Sequence, residues 1–187
     1  MNISPKINLF YNRYDNKDRQ GEIDYCLFKN IEVFDRVIVF KERFTIGELF
    51  EMSKAYPDDI NCYCNSDVYF TEDSIKKLYT INKDECYALT RNDMIHHKDA
   101  KGSQDAWVFR GVVREMGEID FYLGMYGVDN RLAYELKKVG YNLMNPAFSI
   151  ELIHVHETDE KLVNGQTIRT SQNTVPPPYQ LLPLTTL

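Results

Sequence analysis

Asp67 follows a buried-looking run, Ile60 to Cys64, through the polar triplet Asn65-Ser66-Asp67. A carboxylate at a strand end offers hard oxygen atoms to a divalent cation such as Mg²⁺ or Mn²⁺. Such a cation acts as a Lewis acid and neutralises the charge that develops when a diphosphate leaves. Asn65 adds a side chain that accepts or donates a bond to a ribose or to the cation's water shell. An Asp in this position also caps a turn with no ligand at all. His154-Val155-His156 is the second pattern: on a strand the two imidazoles share a face and could complete an Asp/His metal site. One surface and one core histidine explain the pair equally well.

Two further segments carry usable groups. Gly127-Val128-Asp129-Asn130 opens a helical pattern. Asp129 reads as its N-cap, and a carboxylate there can also hold or deprotonate a hydroxyl. Ser103-Gln104-Asp105-Ala106-Trp107 holds the only tryptophan beside two polar side chains at a strand start. A buried β-edge accounts for it without a ligand.

These groups need a scaffold, and the periodicities supply one. Strands are expected at Lys6–Tyr11, Arg36–Phe40, Ile60–Cys64, Cys86–Arg91, Asp105–Phe109 and Leu152–Val155. Helical spacing covers Glu22–Ile31, with Ile23, Cys26, Leu27 and Ile31 on one side. Thr45 and Glu48 form a capping-box pair ahead of a helix from Ile46 to about Tyr56. Thr71 is a cap for Glu72–Thr80, and Asp129–Val139 ends at Gly140, a suitable C-cap. Strands alternating with helices in the first half imply βαβ units and a mostly parallel sheet. Ligands of such sheets bind at the carboxyl ends of the strands, where Asn65-Ser66-Asp67 falls.

One domain is expected over residues 1–157, followed by an extended tail over 158–187 marked by Pro176-Pro177-Pro178. Apolar residues make up 43% of the 187, enough for a core, while a net charge of −6 disfavours a dedicated nucleic-acid grip. No apolar run approaches the ~18–20 residues of a membrane span. Cys26, Cys62, Cys64 and Cys86 lack the spacing of a zinc site and read as buried thiols, so the expected location is cytoplasmic.

The order N-S-D after a strand, then S-Q-D-A-W-V-F, then G-x-D-N-R-L-A-Y-E-L, then N-P-x-x-x-I-x-x-x-H-x-H resembles small bacterial and phage glycosyltransferases of the GT-A fold. The resemblance spans about residues 7–156. It implies an α/β, Rossmann-like GT-A sandwich that binds a nucleotide-sugar donor, a UDP-sugar foremost, with Mn²⁺ or Mg²⁺. Asn65-Ser66-Asp67 then stands at the family's DxD motif, with Asn in place of the first Asp. Asp67 and His156 or His154 become the metal ligands. Asp129 becomes the acceptor-side base of an inverting reaction; Asp105 or Gln104 takes the reacting face of a retaining one. Phe10, Tyr11, Asn12 and Arg13, after the first strand, become the nucleotide site with Asn65, Ser66 and Gln104. Arg13, Lys17 or Arg19 approaches phosphate, and Lys161 or Arg169 of the tail reaches the diphosphate.

The acceptor implied is a glycan or a hydroxylated DNA base, met by the loop Asn92–Ser103 with His96, His97, Lys98 and Lys101. Two alternatives stay open. A nucleotidyltransferase of similar topology would want a Gly-rich basic loop after the first strand, and Asn12–Gly21 holds a single Gly. A non-catalytic nucleotide-binding module would keep the fold and lose the transfer.

Overall fold

The computed structural model describes residues 4–117, 119–155 and 174–187, with the backbone of two short strands at Leu162–Val163 and Gln166–Thr167. The chain runs β1 (Ile7–Asn12), α1 (Gln20–Val33), β2 (Arg36–Phe40), α2 (Ile46–Glu51), β3 (Ile60–Cys64) and β4 (Val68–Phe70). It continues through α3 (Glu72–Leu78), β5 (Glu85–Leu89), β6 (Ala106–Arg110), α4 (Val128–Lys138), β7 (Asn142–Met144) and β8 (Leu152–His154).

Six strands form the central sheet in the order β2-β1-β3-β6-β5-β7. β1 pairs in parallel with β2 and β3, and β5 with β7, whereas β6 runs antiparallel to both of its neighbours. The sheet is therefore mostly parallel with one reversed strand. β4 and β8 pair separately as a two-stranded ribbon, Val68 opposite His154. The sequence expectation missed β4 and β7, each three residues long and too short to show a period.

Central strands of a parallel sheet are covered on both faces, so they read as continuous apolar runs. β3 is buried at all five positions. Ile7, Leu9 and Tyr11 face a core built with α1 and α3, including Ile23, Cys26, Ile75 and Leu78. Phe10 points the other way, into a core built with α2 and α4 and including Leu49, Phe50, Leu132 and Leu136. The result is a three-layer sandwich.

Local signals set the helix ends. Thr45 Oγ1 accepts from Glu48 N at 3.3 Å and Glu48 Oε2 accepts from Thr45 N at 2.8 Å, the expected capping box. Thr71 caps α3. The expected cap at Asp129 is corrected: Gly127 is the cap residue, at φ 77°, and Asp129 lies inside the first turn. That left-handed conformation suits glycine, and a Cβ there would lie 2.8 Å from Tyr179 Oη.

The described end of the tail packs on the body. Val175 and Leu182 are buried, and Val175 N, Gln180 N and Leu182 N donate to Tyr126, Asn130 and Lys101 carbonyls. All four cysteines are free and buried. Among the described residues no helix is long and apolar enough to cross a membrane.

Candidate functional site

At the carboxyl edge of β1 and β3 a cleft of about 290 Å³ opens. Its floor is Cys64, Asn65, Ser66 and Asp67, the segment where β3 leaves the sheet. Asn12, Tyr14 and Arg19, from the connection between β1 and α1, form one wall. Arg43, Phe44 and Leu49 form the other, and Leu123 and Gly124 close over it. Arg43 Nη2 donates to the Leu123 carbonyl at 2.8 Å, and Ile46 N donates to Phe121 O at 2.9 Å, which ties the closing segment to α2.

The floor is held from beneath. Asn65 N donates to the Asp105 carbonyl at 2.8 Å and Asn65 Nδ2 donates to Asp105 Oδ1 at 2.9 Å. Ser66 Oγ donates to the Asn12 carbonyl at 2.5 Å, so the ends of β1 and β3 are stitched together. The Tyr11 hydroxyl lies between the carbonyls of Ile23 and Ser66. These bonds fix the backbone from which Asp67 projects.

Asp67 meets Arg19 and His154. Arg19 Nη2 donates to Asp67 Oδ2 at 2.9 Å, while Arg19 Nε donates to Glu22 Oε2 at 2.7 Å. His154 Nε2 lies 3.6 Å from the same Asp67 oxygen. The ribbon makes this meeting: Val68 pairs with His154, and Val155 N donates to the Asp67 carbonyl at 2.9 Å. On its other side His154 Nδ1 lies 3.1 Å from Asp93 Oδ2. Arg91 links outward, donating from Nε to Asp93 Oδ1 at 2.9 Å and from Nη1 to Asp105 Oδ1 at 3.2 Å.

The charges follow from these contacts. Burial alone would raise the Asp67 carboxyl, but His154 and Arg19 outweigh it and hold the group well below the usual carboxylate range. Burial and Arg91 disfavour the His154 imidazolium, yet Asp67 and Asp93 raise its pKa overall. Asp105 moves the opposite way from Asp67. Burial pushes it up, with the Asp67 charge adding and Arg91 and Asn65 opposing.

Asp67 Oδ1 is buried and accepts no hydrogen bond among the described residues. The oxygen nearest the imidazole is the other one, Oδ2, which Arg19 also binds; a carboxylate with an imidazole is a pair of donor types that Mn²⁺ accepts. It is a half-site: among the described residues no group of three or more His, Cys, Asp or Glu side chains could hold a metal ion. The remaining ligands of a cation there would come from phosphate oxygens and water.

The other expected residues divide. Asn12 and Ser66 line the cleft, with the Asn12 amide donating to the Phe40 and Glu42 carbonyls at 3.3 and 2.7 Å. Phe10 is corrected: its ring stacks on Tyr63 at 4.8 Å inside the core and does not line the cleft. Tyr11 is corrected likewise, its ring in the opposite core and its hydroxyl spent on two carbonyls. Strand pairing buries both rings, and the cleft aromatics are instead Tyr14 and Phe44. Arg13 is held by Asp24 through two bonds of 2.7 and 3.0 Å and does not line the cleft.

Gln104 is corrected as a ligand-binding residue. It is buried, and its amide nitrogen donates to the Lys101 carbonyl at 3.2 Å, bracing the loop before β6. Asp105 is corrected as a group on the reacting face, since it is buried behind Asn65 and bound by Arg91. Asp129 is half-buried in the first turn of α4, outside the cleft lining. His156, Lys161 and Arg169 lie outside the described residues. Arg91, Asp93, Tyr14 and Phe44 carried no pattern in the sequence, because only the fold brings their loops to the strand ends.

Comparison with protein-family models, with curated proteins and with solved structures finds no match to this chain.

Proposed function

We propose that the protein is a metal-dependent glycosyltransferase of the GT-A kind, moving a sugar from a nucleotide-diphosphate donor, a UDP-sugar foremost, to a hydroxyl acceptor. The observation that carries this reading is the 3.6 Å approach of His154 to Asp67, a residue that lines the strand-end cleft. The parallel β2-β1-β3 half supports it, since open α/β sheets take nucleotides at their carboxyl edge.

Tyr14 and Phe44 flank the space a base would fill, and an aromatic face binds a base by stacking. Asn12 lines the cleft and is the ribose contact in this reading. Arg19, which lines the cleft while bonded to Glu22 and Asp67, is the phosphate partner in this reading. Asp67 and His154 would hold Mn²⁺ or Mg²⁺, which when bound supplies Lewis-acid neutralisation of the leaving diphosphate. Leu123 and Gly124 close over the donor and exclude water, which strengthens every charge interaction inside. In this reading Asp129 approaches from the acceptor side as base for an inverting transfer. The acceptor, a glycan or a hydroxylated DNA base, enters past the exposed His96, His97 and Lys98.

A nucleotide-binding module without transfer is favoured by one observation. Position 65 is Asn and its amide is committed to Asp105, which leaves a single carboxylate for a cation.

The test is a thermal-shift and calorimetry screen of UDP-, GDP- and TDP-sugars with and without Mn²⁺, because a ligand of the native state stabilises it by mass action. A donor that raises the melting temperature more with Mn²⁺ than without is expected, and Asp67→Asn should erase that increment. Binding with no sugar released or transferred selects the module reading. No nucleotide binding at all sinks both.

A further inference from the structure

We propose that Asp93 is a positioning residue for the cation half-site: its carboxylate holds Nδ1 of His154 so that Nε2 is presented toward Asp67. This rests on the reading that Asp67 and His154 share a cation.

The geometry is specific. Asp93 Oδ2 lies 3.1 Å from His154 Nδ1, and an ionised carboxylate can only accept, so Nδ1 carries the proton. The other ring nitrogen, Nε2, lies 3.6 Å from Asp67 Oδ2. Imidazoles that bind metals commonly donate their second nitrogen to a carboxylate, which fixes both tautomer and ring orientation. The His154 side chain is only 5% exposed, so it has little room to find another orientation.

Asp93 is itself held. Arg91 Nε donates to its second oxygen at 2.9 Å, and Asn92 Oδ1 accepts from His154 N at 3.3 Å. Arg91 also grips Asp105, the residue that anchors Asn65 and hence the segment bearing Asp67. One arginine thus joins the support of His154 to the support of Asp67. A surface ion pair with no further role would involve Arg91 and Asp93 alone. Here the pair closes a loop of contacts around the two donors.

The experiment is a titration of the full chain with Mn²⁺ alone, counting free ion by electron paramagnetic resonance. Wild type, His154→Ala, Asp93→Ala and Asp93→Asn are compared, with melting curves to show that each is folded. Asp93 is half exposed, so its variants should melt near wild type. The expected result is a Mn²⁺ affinity weakened about 10- to 100-fold in Asp93→Ala. Asp93→Asn, which keeps an acceptor oxygen, should recover part of the loss. Wild type that binds Mn²⁺ and loses it with His154→Ala, while Asp93→Ala binds as wild type does, overturns the role of Asp93 alone. Wild type that binds no Mn²⁺ overturns the cation reading and this inference with it.

Discussion

The two ends of the central strands both carry buried polar side chains, and they differ in how completely those side chains are paired. At the amino ends, Asn8 and Asn61 lie in register on β1 and β3, both fully buried. Asn8 Nδ2 donates to Asn61 Oδ1 at 3.0 Å and to Asp59 Oδ2 at 3.2 Å, and Arg36 donates to Asn8 Oδ1 at 2.8 Å. Asn61 Nδ2 donates to the Tyr56 and Gly111 carbonyls at 3.2 and 2.9 Å. Each amide atom has a partner. At the carboxyl ends, Asp67 Oδ1 and Asp105 Oδ2 are buried without one among the described residues. An unpaired buried polar group costs about 1–3 kcal/mol. The complete cluster joins strands; the incomplete one leaves carboxylate oxygens unpaired among the described residues.

The largest effect that separates the two ends is on stability. Asn61→Leu removes the β3 half of the amino-end network: it strands the Tyr56 and Gly111 carbonyls and leaves the Asn8 amide with Asp59 and Arg36 alone. It should cost about 3 kcal/mol or more in urea unfolding, with nucleotide binding by the folded fraction unchanged. A loss under about 1 kcal/mol would mean the network is not what joins the strands there. Asp67→Asn should do the reverse. Arg19 keeps its 2.7 Å bond to Glu22, so the stability cost should be that of the lost hydrogen bonds, about 1–3 kcal/mol, while Mn²⁺-dependent binding is lost.

The two carboxylates of the incomplete end should also titrate with opposite sign. The folded Asp105 pKa lies above the unfolded value of about 3.9. Its contribution is complete below that value and is lost as pH rises toward the folded pKa. Wild type minus Asp105→Asn stability should therefore fall as pH rises above about 4. Asp67 is depressed, so its contribution is present above about pH 4 and lost as pH falls. Unfolding measured across this range checks both slopes, and two slopes of one sign would remove the distinction between the groups. The smallest effect is chemical. Burial pushes the Cys26 thiol up to about 12 and raises Cys62, Cys64 and Cys86 well above the ordinary value. All four should resist a thiol reagent near pH 8 until the chain unfolds, Cys64 included although it borders the cleft.

Much of this molecule is legible along the chain. Apolar runs mark β1, β2 and β3, the Thr45–Glu48 pair and Thr71 mark helix starts, and the polar triplet after β3 marks the strand end where the cleft forms. These signals are local, and hydrogen bonds and side-chain periods within a few residues suffice to produce them. The same periods report which face a residue takes but not which strand lies beside it or in which direction. That is why the reversal of β6, the burial of Phe10 and Tyr11 and the withdrawal of Gln104 and Asp105 from the cleft needed the fold. Asp67 was readable as a carboxylate at a strand end. Its neighbours Arg19, His154 and, through His154, Asp93 come from the β1–α1 connection, the end of β8 and the β5–β6 connection, and only tertiary packing brings those segments to one point.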